Sequence, residues 1–158
     1  MVLIIRDNMS LITTLPDRMC EWFSDMNSFS DCSFCTQFPV NSKATPLEKP
    51  VVVFGTDSMK VLDNTTDETG TVITDSRIAQ IDFSIGIHMP RVKGGVGCNA
   101  LFDRICEMIL FNTPLSVSAV KTENIEYIRN TDSLYLRAVF TTDETLERGS
   151  NYPEPLTL

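Results

Sequence analysis

Hydrophobic positions recur along the first part of the chain with a helical period. Leu11, Ile12, Leu15, Met19, Trp22, Phe23 and Met26 fall on one stripe, the spacing of an amphipathic helix that buries one side. The stripe predicts a first helix ending near Asn27 or Ser28. With Thr14 as N-cap, Pro16 and Asp17 enter the first turn, so the robust helix begins there. The period then changes to two: over 29–38, Cys32, Phe34, Thr36 and Phe38 alternate with Ser33, Cys35 and Gln37, as in a half-buried strand. "PVNSKATPLEKP" carries three prolines and reads as an irregular connection.

"VVVFG" at 51–55 is a continuous apolar run, suited to a short strand covered on both faces. Residues 57–75 are Thr- and Asp-rich and predict a long hairpin or a loop between strands. The longest alternation follows: Ala79, Ile81, Phe83, Ile85, Ile87 and Met89 on one face, Gln80, Asp82, Ser84, Gly86 and His88 on the other. A slip of one residue would expose six apolar side chains, so the register is strongly specified. Pro90 ends this strand, and "RVKGGVG" reads as a crossover loop. Asn99 then caps a second helix with Leu101, Ile105, Met108 and Ile109 on one face, Phe102 and Cys106 alongside, and an end near Asn112. "LSVSAV", "IEYI" and "SLYLRAVFTT" are further strands, the last two joined as a hairpin through "RNTDS". The order predicts a two-layer α+β fold, a mainly antiparallel or mixed sheet with two helices on one face. Residues 1–144 form one domain and 145–158, with Gly149, Pro153 and Pro155, an extended tail.

Charge narrows the function. The 158 residues carry a net charge of -8, from 21 acidic against 13 basic side chains. A nucleic-acid reader needs a basic stripe to displace counterions, and the loose Arg91/Lys93 pair does not make one. No apolar stretch is long enough for a membrane span, and "MVLII" lacks the form of a signal peptide. Five cysteines, an odd number, fit free thiols in a reducing cytoplasm. Cys32 and Cys35 have CxxC spacing, but no second pair completes a zinc set and no strand-to-helix context suggests a redox site, so packed thiols are expected.

The same residues hold no catalytic pattern. "KGGVG" precedes a helix yet matches neither GxxxxGK[ST] nor GxGxxG. His88 shares the less apolar strand face and has no orienting partner in the motif, as suits a surface or interface histidine. No serine lies in GxSxG. The acidic pairs Asp67/Glu68 and Asp143/Glu144 are expected in solvated loops. The chain therefore reads as a protein without a catalytic set, cofactor or metal.

The stretches "KPVVVFG", "RIAQIDFSIGIHMP", "NALFDRICEMILF" and the closing strand pair ending in "LYLRAVF" at 134–140 resemble, over about 9–144, the tail terminator (tail-completion) proteins of tailed bacteriophages and related contractile particles. Residues 29–50 are longer and richer in cysteine than that pattern. The resemblance implies a homo-oligomeric ring, a hexamer, on the last ring of the tail tube. Its partners would be tail tube protein and a sheath protein or head-neck connector, in a virion or phage-tail-like particle assembled in the bacterial cytoplasm. Interface residues are expected in the loops and tail: Asp67, Glu68, Thr69, Arg91, Lys93, Gly94, Gly95, Arg148 and Tyr152. The competing readings are another small neck, baseplate or sheath-initiating component, a regulatory binding module, or a thiol- or nucleotide-dependent enzyme built on His88, Cys98 and the glycine loop.

Overall fold

The computed structural model describes residues 2–4, 11–39 and 43–147. Its elements are β1 (Val2–Ile4), α1 (Leu11–Ser24), β2 (Ser33–Cys35), β3 (Val51–Thr66), β4 (Val72–Pro90), α2 (Gly94–Asn112), β5 (Val117–Thr122), β6 (Glu126–Ile128) and β7 (Ser133–Glu147), with short 3-10 turns at Asn27–Phe29, Arg91–Lys93 and Arg129–Thr131. The strands make one sheet in the order β1-β7-β4-β3-β2, and β5 and β6 both pair with β7. The long neighbours are antiparallel, while β1 and β2 join in parallel. The protein is thus α+β, as its alternating patterns imply.

The central strand behaves as its pattern demands. Ala79, Ile81, Phe83, Ile85, Ile87 and Met89 are all buried, and opposite them β7 presents Leu136, Ala138 and Phe140 to the same side. Both helices lie on this face. α1 delivers Leu15, Met19 and Phe23, spaced by four, and α2 delivers Cys98, Leu101, Ile105 and Ile109. Phe23 is the hub under α1, with ring centroids 5.2 Å from Phe29, 5.2 Å from Phe34 and 5.5 Å from Phe54. Phe83 and Phe140 stack at 5.1 Å. Arg104 ties α2 to the turn that follows α1: its guanidinium lies 4.6 Å from the Phe29 ring centroid and donates to the Ser28 carbonyl.

Several sequence expectations are corrected. α1 stops at Ser24 and starts before Thr14, with Pro16 inside it. Only Ser33–Cys35 of the alternation over 29–38 pairs as a strand; the chain bends after it, and Phe38 stacks on His88, on the face opposite Phe34. The apolar run at 51 extends into a strand of 16 residues instead of a short one, and the polar region after 57 forms the long hairpin of the two expected alternatives, with its turn at 67–71. A bulge at Asp57 makes this extension possible: Thr56 pairs with Phe83 but Ser58 with Asp82, and the extra residue switches the parity so that Met59 packs on the core. Arg137 grips the bulged Asp57 carboxylate and also Glu123.

α2 begins at Gly94, not Asn99, so most of "RVKGGVG" is a 3-10 turn and the first helical turn instead of a free loop. Gly94 has φ 65, a left-handed value natural for glycine. At Gly97 a Cβ would sit 3.1 Å from the Lys93 Cβ, a close approach that favours glycine despite its poor helix propensity. The pair Asp143/Glu144 belongs to β7, not to a loop, and Glu144 is only 1% exposed. Its Oε1 accepts from the Thr142 hydroxyl at 2.6 Å and the Ser116 amide at 3.2 Å. β1 is an additional strand that the sequence pattern does not announce.

The other face of the sheet carries Gln80, Asp82, Ser84, Gly86 and His88 from β4, as the parity predicts, and Tyr135, Arg137, Val139, Thr141 and Asp143 from β7. Asp82 accepts from Thr141 at 2.6 Å and Ser58 at 3.0 Å, and Gln80 donates to Asp143 at 3.2 Å. No described helix covers this face. The Tyr135 ring lies over Gly86, where a Cβ would come within 2.9 Å of it.

Candidate functional site

The residues expected at interfaces separate into two groups. Asp67, Glu68 and Thr69 form the tip of the β3–β4 hairpin. Asp67 Oδ1 accepts from the Thr69 amide (2.9 Å), the Thr69 hydroxyl (2.6 Å) and the Thr71 amide (2.9 Å), while Gly70 supplies φ 81. These bonds, the Thr69 hydroxyl first, hold the Asp67 carboxyl below its ordinary range, so its charge is already used to shape the turn. Glu68 is exposed at the tip.

Arg91, Lys93, Gly94 and Gly95 gather at the opposite end of β4, about 60 Å away at the rise of an extended strand. The Arg91 amide donates to the Asp132 carbonyl at 3.1 Å, and Arg91 Nε lies 3.2 Å from Asp132 Oδ1. The Tyr127 hydroxyl donates to that same oxygen at 2.8 Å. A Cβ on Gly95 would touch Ile125 at 3.6 Å. The turn therefore leans on the segment around β6, and the corner they build is apolar: Val92 is 91% exposed and Val96 84%, with Ile125 and Tyr127 also exposed. A second apolar spot lies at the far end of α2, where Phe111 is 79% exposed beside Leu110. Arg148 and Tyr152 lie outside the described residues.

Val92, Val96 and Phe111 were not singled out from the sequence. The available signal was weak: two valines among glycines and a lysine, outside any strand alternation, and a phenylalanine off the helix stripe. Hydrophobic residues scattered singly on a surface need no explanation; these matter because they cluster at the two ends of one helix.

The groups that could do chemistry are not brought together. His88 lies on the helix-free face and Cys98 on the helix side, fully buried under α2. Burial disfavours the thiolate form: it pushes Cys20, Cys32 and Cys98 up to about 11, and raises Cys35 and Cys106 as well. All five are free, and Cys32 packs in the core. Among the described residues no group of three His, Cys, Asp or Glu side chains is placed to hold a metal ion, and no helix is long and apolar enough to cross a membrane.

His88 is held between Phe38 and Tyr135, with ring centroids at 4.1 and 4.6 Å. Burial disfavours its charged form and lowers its pKa from 6.5. The folded chain then binds fewer protons at this site than the unfolded chain. Stability present above about pH 6.5 is expected to be lost as the pH falls through the depressed folded value. Thermal melts between pH 7.5 and 5 should show this loss, and His88→Phe should flatten it; equal pH profiles would contradict the assignment.

No family model matches the sequence, and no curated protein matches it either.

Proposed function

We propose that the chain is a structural assembly protein of a phage or phage-tail-like particle. It forms a ring, six-membered by the resemblance, that caps the tail tube and ends tube or sheath polymerisation. Its partners in this reading are further copies of itself, tail tube protein, and a sheath protein or head-neck connector. The observation that carries the assembly reading is the pair of unlike apolar patches at the two ends of α2: Val96 with Val92 from the turn just before it at one end, Leu110 and Phe111 at the other, about 22 Å apart along the axis. Exposed apolar clusters mark contact sites. Two different patches on one subunit suit a head-to-tail contact, which closes into a ring when the rotation closes, better than a two-fold dimer that uses one patch twice.

The charge is compatible with this role. A net -8 without a basic stripe would let DNA slide through a lumen without holding it. A neck, baseplate or sheath-initiating component would use the same patches. The enzymatic alternative finds less support, because His88 and Cys98 face opposite sides of the sheet and burial disfavours the Cys98 thiolate.

Complementary variants test the head-to-tail contact. A chain carrying Val92→Asp and Val96→Asp keeps the Phe111 patch; a chain carrying Phe111→Asp keeps the valine patch. Each alone should be monomeric by light scattering, and an equimolar mixture should give 1:1 dimers through the one intact interface. A mixture that remains monomeric would rule out this pairing.

A further inference from the structure

A cavity of about 380 Å³ opens on the helix-free face, at the end of the sheet where β4 stops and β7 begins. Phe38, His88 and Tyr135 give it an aromatic wall, Ile128 an apolar one, and the exposed Lys43 and Asn130 complete it. The segment that follows Lys43 and the 3-10 turn before β7 are tied by the Leu47 amide donating to the Thr131 carbonyl at 3.0 Å. His88 Nδ1 is shielded from solvent and has no hydrogen-bond partner among the described residues. No carboxylate is among the described lining residues, although the chain as a whole is strongly acidic.

We infer that this cavity receives residues 152–155 of a second copy of the chain, Tyr152-Pro153-Glu154-Pro155. The inference rests on the ring reading and names a contact within it. Aromatic-lined grooves take extended, proline-containing segments because such segments lose little conformational freedom on docking. Tyr152 supplies a ring for the aromatic wall and a hydroxyl for the unpartnered imidazole nitrogen. Glu154, two residues on, complements Lys43.

Distance makes the contact intermolecular. The tail leaves β7 at Glu147, which pairs with Ser76, whereas the cavity lies at the pair His88 and Tyr135. Twelve residues of extended strand separate the two points, about 40 Å. Tyr152 is five residues beyond Glu147 and reaches at most about 18 Å. Pro155 reaches about 29 Å. The segment therefore falls short of its own cavity and would meet that of a neighbour, another head-to-tail contact.

The full chain with p-benzoylphenylalanine in place of Tyr152 tests this. Irradiation should give adducts between copies, with the cross-link mapping to cavity residues such as Phe38 or Asn130. In parallel, Lys43→Glu and Glu154→Lys should each weaken self-association about tenfold, and the double variant should restore it to within about twofold. Multimers whose adducts map elsewhere, or adducts within one copy, would overturn the inference and leave the ring reading standing. A chain that stays monomeric at assembly concentrations would overturn both.

Discussion

Phe23→Ala is expected to lower the unfolding free energy by about 3–5 kcal/mol. Phe23 is fully buried at the point where α1 meets the sheet. Its ring is shared by Phe29, Phe34 and Phe54, and Trp22 packs edge-on at 4.9 Å. These partners come from α1, the turn after it, β2 and β3, so no single side chain can relax into the space. Truncation removes both the transfer energy of the ring and its contacts across four elements. Against a total stability of about 5–15 kcal/mol, the loss is a large fraction. Urea unfolding followed by far-UV circular dichroism should show the midpoint falling with little change in slope. A midpoint within the error of the native chain would mean that α1 does not dock through this residue.

The second large effect concerns association. Val92→Asp together with Val96→Asp should weaken self-association by at least about a hundredfold. Burying one valine contributes about 1.5–3 kcal/mol, each 1.4 kcal/mol is a tenfold change in affinity, and an aspartate at a closing contact also has to shed water from its charge. The native Tm should hardly move, because side chains 91% and 84% exposed have little packing to lose. Sedimentation velocity reads the association and thermal melting the stability. Unchanged association would remove the corner from the interface, while a large fall in Tm would show that the valines support the fold.

The sheet was legible in the sequence wherever a strand ran straight. The alternation from Ala79 to Met89 predicts both faces of β4, and "LYLRAVF" does the same for β7. The signal failed where the chain bends or bulges. Asp57 inserts a residue into β3, so Met59 reaches the core from a position that a strict period of two assigns to the other face. After Cys35 the strand ends, so Phe34 and Phe38 serve opposite faces although they stand four apart. Local propensity misled at α2, where three glycines suggested a loop. Burial of Cys98 in the core and the tight Gly97 packing draw that stretch into the first helical turn.

The candidate interface was legible only in outline. "RVKGGVG" stood out as a segment, but the sequence pointed to its cations and glycines, whereas the structure turns its valines outward and engages Arg91 with Asp132. Asp143 and Glu144 looked like loop acids because threonines flank them. The pairing of β7 with β4 runs through them as far as Glu147, placing Asp143 on the open face and Glu144 inside. Pairing partners as distant as Gln80 and Asp143, 63 residues apart in the chain, leave no trace in a local pattern.

The central claim, that this chain builds a ring that ends a tail tube, is tested most directly by light scattering combined with negative-stain microscopy of the purified protein, alone and mixed with tail tube protein. The account predicts a closed oligomer of six copies, seen as rings and as caps on tube ends, with tube growth halted. Monomers that never associate with tubes would contradict it.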